Sequence, residues 1–236
     1  MKARVGDDMR PAHQGFDRRA WFKAAGLASI AAAVAVPSVV SMPAAYAAPL
    51  PAPGFITCPQ WGARAPRKAI TMGAKPTHVA IHHTATANRG ARTRSAEDSF
   101  VRSIQTSHMA RNSDIRDTLQ NFTVTQGARI YEGRHRSLEA VRSGRLSAIG
   151  GHIRGGDAAN QKAVGIETEG TFSSALPSAS QYRALVHLVA YICQQYRIPV
   201  ANILGHRDFA GNSTTECCGN AFYPKLAILR KDVAAT

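Results

Sequence analysis

Polar and apolar positions alternate in several short runs of the chain. In THVAIHHTAT (77–86), strand geometry puts Ala80 and His82 on one face and Val79, Ile81 and His83 on the other. NFTVTQGARIYEG (121–133) reads as two strands about a turn at Gln126-Gly127, and AVGIETEG (163–170) as a further strand. Elsewhere the period lengthens. SAEDSFVRSIQTSHMARN (95–112) spaces Phe100, Ile104 and His108 as a helical stripe with Val101 beside it. PSASQYRALVHLVAYICQQYRIP (177–199) is the clearest helix. Its apolar stripe is Tyr182, Leu185, Val186, Val189, Ile192, Cys193 and Tyr196, and Ser178 with Gln181 makes a capping-box pattern. FYPKLAILRKDV (222–233) predicts a closing helix with Pro224 in its first turn. Strands and helices alternate irregularly, which predicts an α/β domain with a mixed central β-sheet flanked by helices.

The first fifty residues follow a different pattern. Arg18 and Arg19 precede Phe22 and Lys23, an Ala-rich apolar run covers 24–40, and Ala45-Tyr46-Ala47 places small residues where a signal peptidase reads. This predicts a signal peptide of the twin-arginine type over 1–47, cleaved after Ala47. The run is weakly hydrophobic and broken by Pro37 and Pro43, so no transmembrane anchor is expected in the mature form. APLPAPG (48–54) reads as a Pro-rich linker. No repeat or second linker divides the rest, so one domain is expected over 55–236.

The formal charge of the 236-residue chain is +14; removing 1–47 takes six basic and three acidic residues and leaves +11. A surplus of that size favours anionic partners, such as cell-envelope polymers. Nucleic acid is not expected: the chain carries an export signal and lacks interleaved aromatic and basic residues.

Eight histidines follow the leader. His78, His108, His135 and His187 lie where structural or solvated roles are ordinary. His82, His83, His152 and His206 each fall at a strand edge beside small or polar residues. Zinc takes three or four nitrogen, sulfur or oxygen donors in a tetrahedron, and a catalytic site keeps one position open. His82 at a strand end, His206 before a loop, and a cysteine eleven residues later at Cys217 supply such donors. Spacing alone leaves an unrelated His and Cys equally open.

The segments WGARAP (61–66), VAIHHTAT, VRSIQTSHM, NFTV, YEGR, GGH, VGIETEG, GHRD, TECCG and YPKL (223–226) appear in the order found in one family. The chain resembles the zinc-dependent N-acetylmuramoyl-L-alanine amidases of type 2, which share their fold with peptidoglycan recognition proteins. The resemblance implies a Zn2+ ion held by His82, His206 and Cys217. It implies Glu167 as the proton-transferring carboxylate, whereas alternation alone puts Glu167 and Glu169 on one face and does not choose between them. It places Thr215 and His152 at the oxyanion or reaction intermediate, and Asn160 and His83 on the substrate side. The implied substrate is peptidoglycan or its muropeptides, and the implied location is the periplasm or the extracellular wall.

The sequence departs from the family at two places. Some members carry a catalytic tyrosine where this chain has Gln120, which cannot act as acid or base. That favours a competing reading as a non-catalytic peptidoglycan-binding receptor; the intact ligand set and Glu167 oppose it. Cys218 stands where proline is usual after the third ligand, so it is a spare ligand, a disulfide partner or an idle side chain. Cys58, Cys193 and Cys218 allow one disulfide in an exported protein, Cys58–Cys193, or none, since Cys193 on the buried face of its helix also suits a small core residue; sequence does not fix connectivity. The basic stretch 135–150 reads as a substrate loop or a solvated surface loop.

Overall fold

The structure is a computed structural model and describes residues 49–236; the expected signal peptide lies outside the described residues. The described residues form eight strands: β1 Phe55–Ile56, β2 Met72–Ala74, β3 His78–His83, β4 Phe122–Val124, β5 Ile130–Glu132, β6 Leu146–Ala148, β7 Ala163–Thr168 and β8 Ile203–Gly205. The helices are α1 Arg94–Arg111, α2 Ser137–Ser143, α3 Gly156–Gln161, α4 Ala179–Tyr196 and α5 Leu226–Ala234. Six strands form one mixed sheet in the order β1-β5-β4-β7-β3-β8, and β2 pairs with β6 apart from it. The inner pairs β4–β7, β7–β3 and β3–β8 are parallel, while β4–β5 is the expected antiparallel hairpin.

The sheet has two unlike faces. Val79, Ile81, Phe122, Val124, Val164, Ile166 and Ile203 form one, buried against Leu185, Leu188, Val189 and Ile192 of α4 and Leu226 and Leu229 of α5. Removing each such side chain from water contributes roughly 1.5–3 kcal/mol. The opposite face presents Ala80, Ala163, Gly165, Thr123, His82 and Glu167, small or polar residues over its centre.

α4 starts as expected: the Ser178 hydroxyl accepts the Gln181 N–H at 3.2 Å. The capping box is not closed. The Gln181 amide instead donates to the carbonyls of Glu169 (2.8 Å) and Val124 (3.2 Å), pinning the helix start to the sheet. Two buried strand carbonyls outcompete an exposed cap. At the other end, Pro224 lies in a 3-10 turn, Tyr223–Lys225, that leads into α5.

The stretch 135–150 is not an irregular loop. It folds as α2 and β6, with Leu138, Ala140, Val141 and Ala148 buried. Buried Asn121 anchors it: its amide donates to Ser137 Oγ (3.0 Å) and the Ala148 carbonyl (2.8 Å), and its Oδ1 accepts the Gly165 N–H (2.9 Å). The Pro-rich segment before β1 lies along α4. The Leu50 N–H donates to Gln194 Oε1 at 2.8 Å, and His187 Nε2 meets the Pro51 carbonyl at 3.0 Å.

None of the four cysteines is in a disulfide, which corrects the expected Cys58–Cys193 bond. Cys193 lies in the main core, whereas Cys58 belongs to a second cluster with Ile56, Trp61, Val101 and Tyr131, its sulfur against the Gly133 carbonyl (3.4 Å).

Candidate metal centre

His82 and Glu167 are register partners on β3 and β7, so both side chains stand on the small-residue face. His206 begins the short 3-10 turn His206–Asp208 immediately after β8, the other neighbour of β3. A loop then returns Cys217 to the end of β3. The donor atoms of His82, His206 and Cys217 all lie within 4.8 Å of one another. The Cys217 sulfur is 3.6 Å from His82 Nδ1 and accepts the His83 N–H at 3.4 Å.

The HRD segment explains how the loop is held. The Arg207 guanidinium donates to the Cys217 carbonyl (3.1 Å), the Glu216 carbonyl and Asn220 Oδ1 (2.9 Å), and stacks on Tyr223 at 4.5 Å. Asp208 accepts the Gly205 N–H at 2.8 Å and the Tyr223 hydroxyl. One residue thus supplies the donor, the next ties down the loop bearing the third donor, and the third closes the turn.

Burial, reinforced by the neighbouring imidazoles, holds His82 well below its ordinary pKa; burial likewise lowers His206. Both are therefore neutral, the form that ligates metals. Burial, then the nearby Glu167 carboxylate, push the Cys217 thiol up. A bound cation reverses that shift, since a coordinating thiol is deprotonated. Two imidazoles and one sulfur fit zinc.

Glu167 has one carboxylate oxygen, Oε2, sealed from solvent and hydrogen-bonded to nothing. Burial pushes its pKa up to about 8. Glu169 is different: it accepts the Gln126 N–H at 2.9 Å and pairs with Arg92. The choice that alternation left open is thus narrowed by hydrogen bonding, since only Glu167 has a carboxylate oxygen left unpaired. Gln120 is fully buried and donates to Thr123 Oγ1 at 3.0 Å.

The other expected site residues divide. Thr215 is partly exposed beside Cys217, whose N–H its hydroxyl accepts at 3.3 Å. His152 is buried with its Nδ1 2.9 Å from His82 Nε2. Its ring lies over Gly165, where a Cβ would come within 2.3 Å of it. His83 Nδ1 accepts the Phe172 N–H at 3.1 Å. Asn160 spends its side chain on its own loop, accepting from Ile153 N–H (3.0 Å) and donating to the carbonyls of Ile153 and Gly156 (both 2.8 Å). Cys218 is fully buried in the main core. Asn212, which sequence reasoning passed over, touches His206: its Oδ1 lies 3.0 Å from His206 Nε2.

Residues 72–220 match the family model described as N-acetylmuramoyl-L-alanine amidase. The chain belongs to that family. Among solved structures, this amidase-family chain is similar to the Drosophila peptidoglycan recognition protein PGRP-SD, at 22% identity and TM-score 0.59 over 73% of this chain and 92% of that one. It is also similar to a Drosophila PGRP-LB variant in complex with tracheal cytotoxin, at 24% and 0.58 over 73% and 92%. The endolysin amidase LysCS from Clostridium intestinale matches at 21% and 0.55 over 75% and 94%. These likenesses establish the fold. No curated protein matches the chain. Among the described residues, no helix is long and apolar enough to cross a membrane.

Proposed function

We propose that the protein is an exported zinc amidase that hydrolyses the amide between N-acetylmuramic acid and L-alanine in peptidoglycan or muropeptides. The observation that carries this reading is the convergence of His82, His206 and Cys217, with Glu167, the register partner of His82, carrying an unpaired oxygen on the same face of the sheet. When bound, zinc lowers the pKa of a coordinated water to about 7 and polarises a carbonyl. Glu167 takes the proton from the attacking water and hands it to the leaving amine; a pKa near neutrality suits both transfers. The Thr215 hydroxyl hydrogen is free to donate to the developing oxyanion, since the oxygen itself accepts from Cys217 N–H. The net charge of +11 after the leader holds the enzyme on anionic envelope polymers.

The test is to incubate purified protein with muropeptides, with and without a chelator, and to measure free stem peptide. Chelator-sensitive release is expected, and Glu167→Gln should lower kcat by about 10²–10⁴. No release from zinc-loaded protein that binds muropeptides would replace the enzyme with a receptor, the reading that Gln120 favours. Full activity in Glu167→Gln would refute the proton route and spare the function.

A further inference from the structure

We infer that Asn212 and His152 are positioning residues that fix both candidate histidine ligands as Nε2–H tautomers, so that each presents Nδ1 to the metal. The inference rests on the metal reading above. A neutral imidazole carries one N–H, and the partner of one nitrogen decides which lone pair is left for a metal.

For His206 the partner is an oxygen. Asn212 Oδ1 sits 3.0 Å from His206 Nε2. The orientation of the Asn212 amide is fixed by its other contacts. Oδ1 also accepts the Arg154 N–H at 3.1 Å, while Nδ2 donates to the carbonyls of Ala210 (2.9 Å) and Arg154 (3.3 Å). A flipped amide would set Nδ2 against the Arg154 N–H and Oδ1 against two carbonyls. An oxygen that can only accept requires a proton on His206 Nε2, which leaves Nδ1 as the donor to the metal.

For His82 the same result follows from the other end. Its Nδ1 is the nitrogen that faces the Cys217 sulfur. For a metal to be held there Nδ1 must carry the lone pair, and Nε2–H then donates to His152 Nδ1 at 2.9 Å. The remaining proton of His152 falls on its Nε2, which is buried and has no hydrogen-bond partner. Small residues keep that arrangement in place: Gly165 leaves the ring its room, and the Gly151 N–H is held by the Leu119 carbonyl at 2.8 Å.

Asn212 also reaches the third donor. Its carbonyl accepts the Thr215 N–H at 3.1 Å, and Thr215 Oγ1 accepts the Cys217 N–H. One residue between His206 and Cys217 therefore sets the tautomer of one ligand with its side chain and supports the position of the other with its backbone carbonyl. This assigns a purpose to the long loop that separates them.

The experiment has two readouts that do not depend on activity. Long-range proton–nitrogen NMR of histidine-labelled, chelator-treated protein should show His82 and His206 as Nε2–H tautomers, and Asn212→Ala should leave His206 mixed. Zinc competition against a chromophoric chelator should weaken about 10–100-fold in Asn212→Ala and in His152→Ala, the usual effect of losing an outer-shell partner. Asn212→Asp and His152→Gln keep an acceptor and should recover most of that loss, which also covers an alanine variant that fails to fold. Wild-type affinity in folded Asn212→Ala, or an Nδ1–H tautomer at His206 in the wild type, would overturn the inference. A wild-type protein that binds no zinc would overturn the amidase reading instead, and the NMR result would still decide the tautomers.

Discussion

Acid should loosen the histidine cluster through a residue outside it. His108, on the buried side of α1, accepts the Leu119 N–H on Nδ1 at 3.1 Å, and the Leu119 carbonyl in turn holds Gly151, next to His152. Burial first, then the nearby Arg111 charge, lower His108 from 6.5 to about 4; Asp117 opposes them weakly. The sign follows from proton counting. Between pH 6.5 and 4 the unfolded chain binds a proton that the native state refuses, so stability is fully present above 6.5 and is lost as pH falls toward 4. Over the whole window the loss is about 3 kcal/mol, of which about 2 kcal/mol falls between pH 7 and 5. The measurement is urea unfolding in chelator at pH 7, 6 and 5, for wild type and His108→Gln. Gln offers a carbonyl acceptor to Leu119 but does not titrate. Other buried histidines are common to both proteins and cancel in the difference. The wild type should lose about 2 kcal/mol more than the variant between pH 7 and 5. Equal slopes would refute the assignment of His108 as a neutral, buried acceptor.

Three further outcomes are expected. Cys217→Ser should weaken zinc binding by orders of magnitude in a chelator competition, whereas Cys218→Ser should leave affinity intact and lower the melting temperature, because Cys218 is fully buried in the core. The reverse result would place the third donor one residue later. Gly165→Ala puts a Cβ 2.3 Å from the His152 ring; it should cost about 1–3 kcal/mol in a thermal melt and weaken zinc along with it. Arg207→Lys keeps the charge but loses the fork that reaches the Cys217 and Glu216 carbonyls and Asn220; zinc should dissociate faster in stopped-flow chelation, and an unchanged rate would show that the loop holds itself.

Much of this frame was legible from residue pattern. The β3, β7 and α4 segments carry strong periodicity, and the structure places each within two or three residues of its expected bounds. What escaped was decided by partners distant in sequence. The stretch 135–150 looked solvated because its arginines dominate the composition. Its apolar Leu138 and Val141 are too few to reveal a helix without Asn121, which anchors it from the position just before β4. Gln181 looked like half of a capping box until two strand carbonyls came within its reach. The donor triplet followed from a resemblance, whereas Asn212 lies in a loop without periodicity, where an Asn is ordinarily only a turn former. Its part appears once the loop folds back and its oxygen meets His206.

The division of the sheet into two faces explains how the site can be kept. On the site face, Glu167 Oε2 and His152 Nε2 are buried without partners, and each such group costs roughly 1–3 kcal/mol. Only a small apolar cluster, Ala80 and Ala163 with Ile153, offsets that locally, and Gly165 must stay small to leave room for the His152 ring. The larger offset comes from the other side of the same strands. Ile81 and Ile166 there pack with Leu185, Leu188, Val189 and Ile192, and roughly 1.5–3 kcal/mol per side chain outweighs two unpaired groups. The two faces should therefore respond differently to substitution. Leu188→Ala should cost about 2–5 kcal/mol of stability while folded protein keeps its zinc affinity. Glu167→Gln changes a carboxyl group whose Oε2 is buried and unpaired, so it should leave stability unchanged or raised while activity falls. A Glu167→Gln protein that melted well below the wild type would show that the carboxylate is held by the fold rather than tolerated by it.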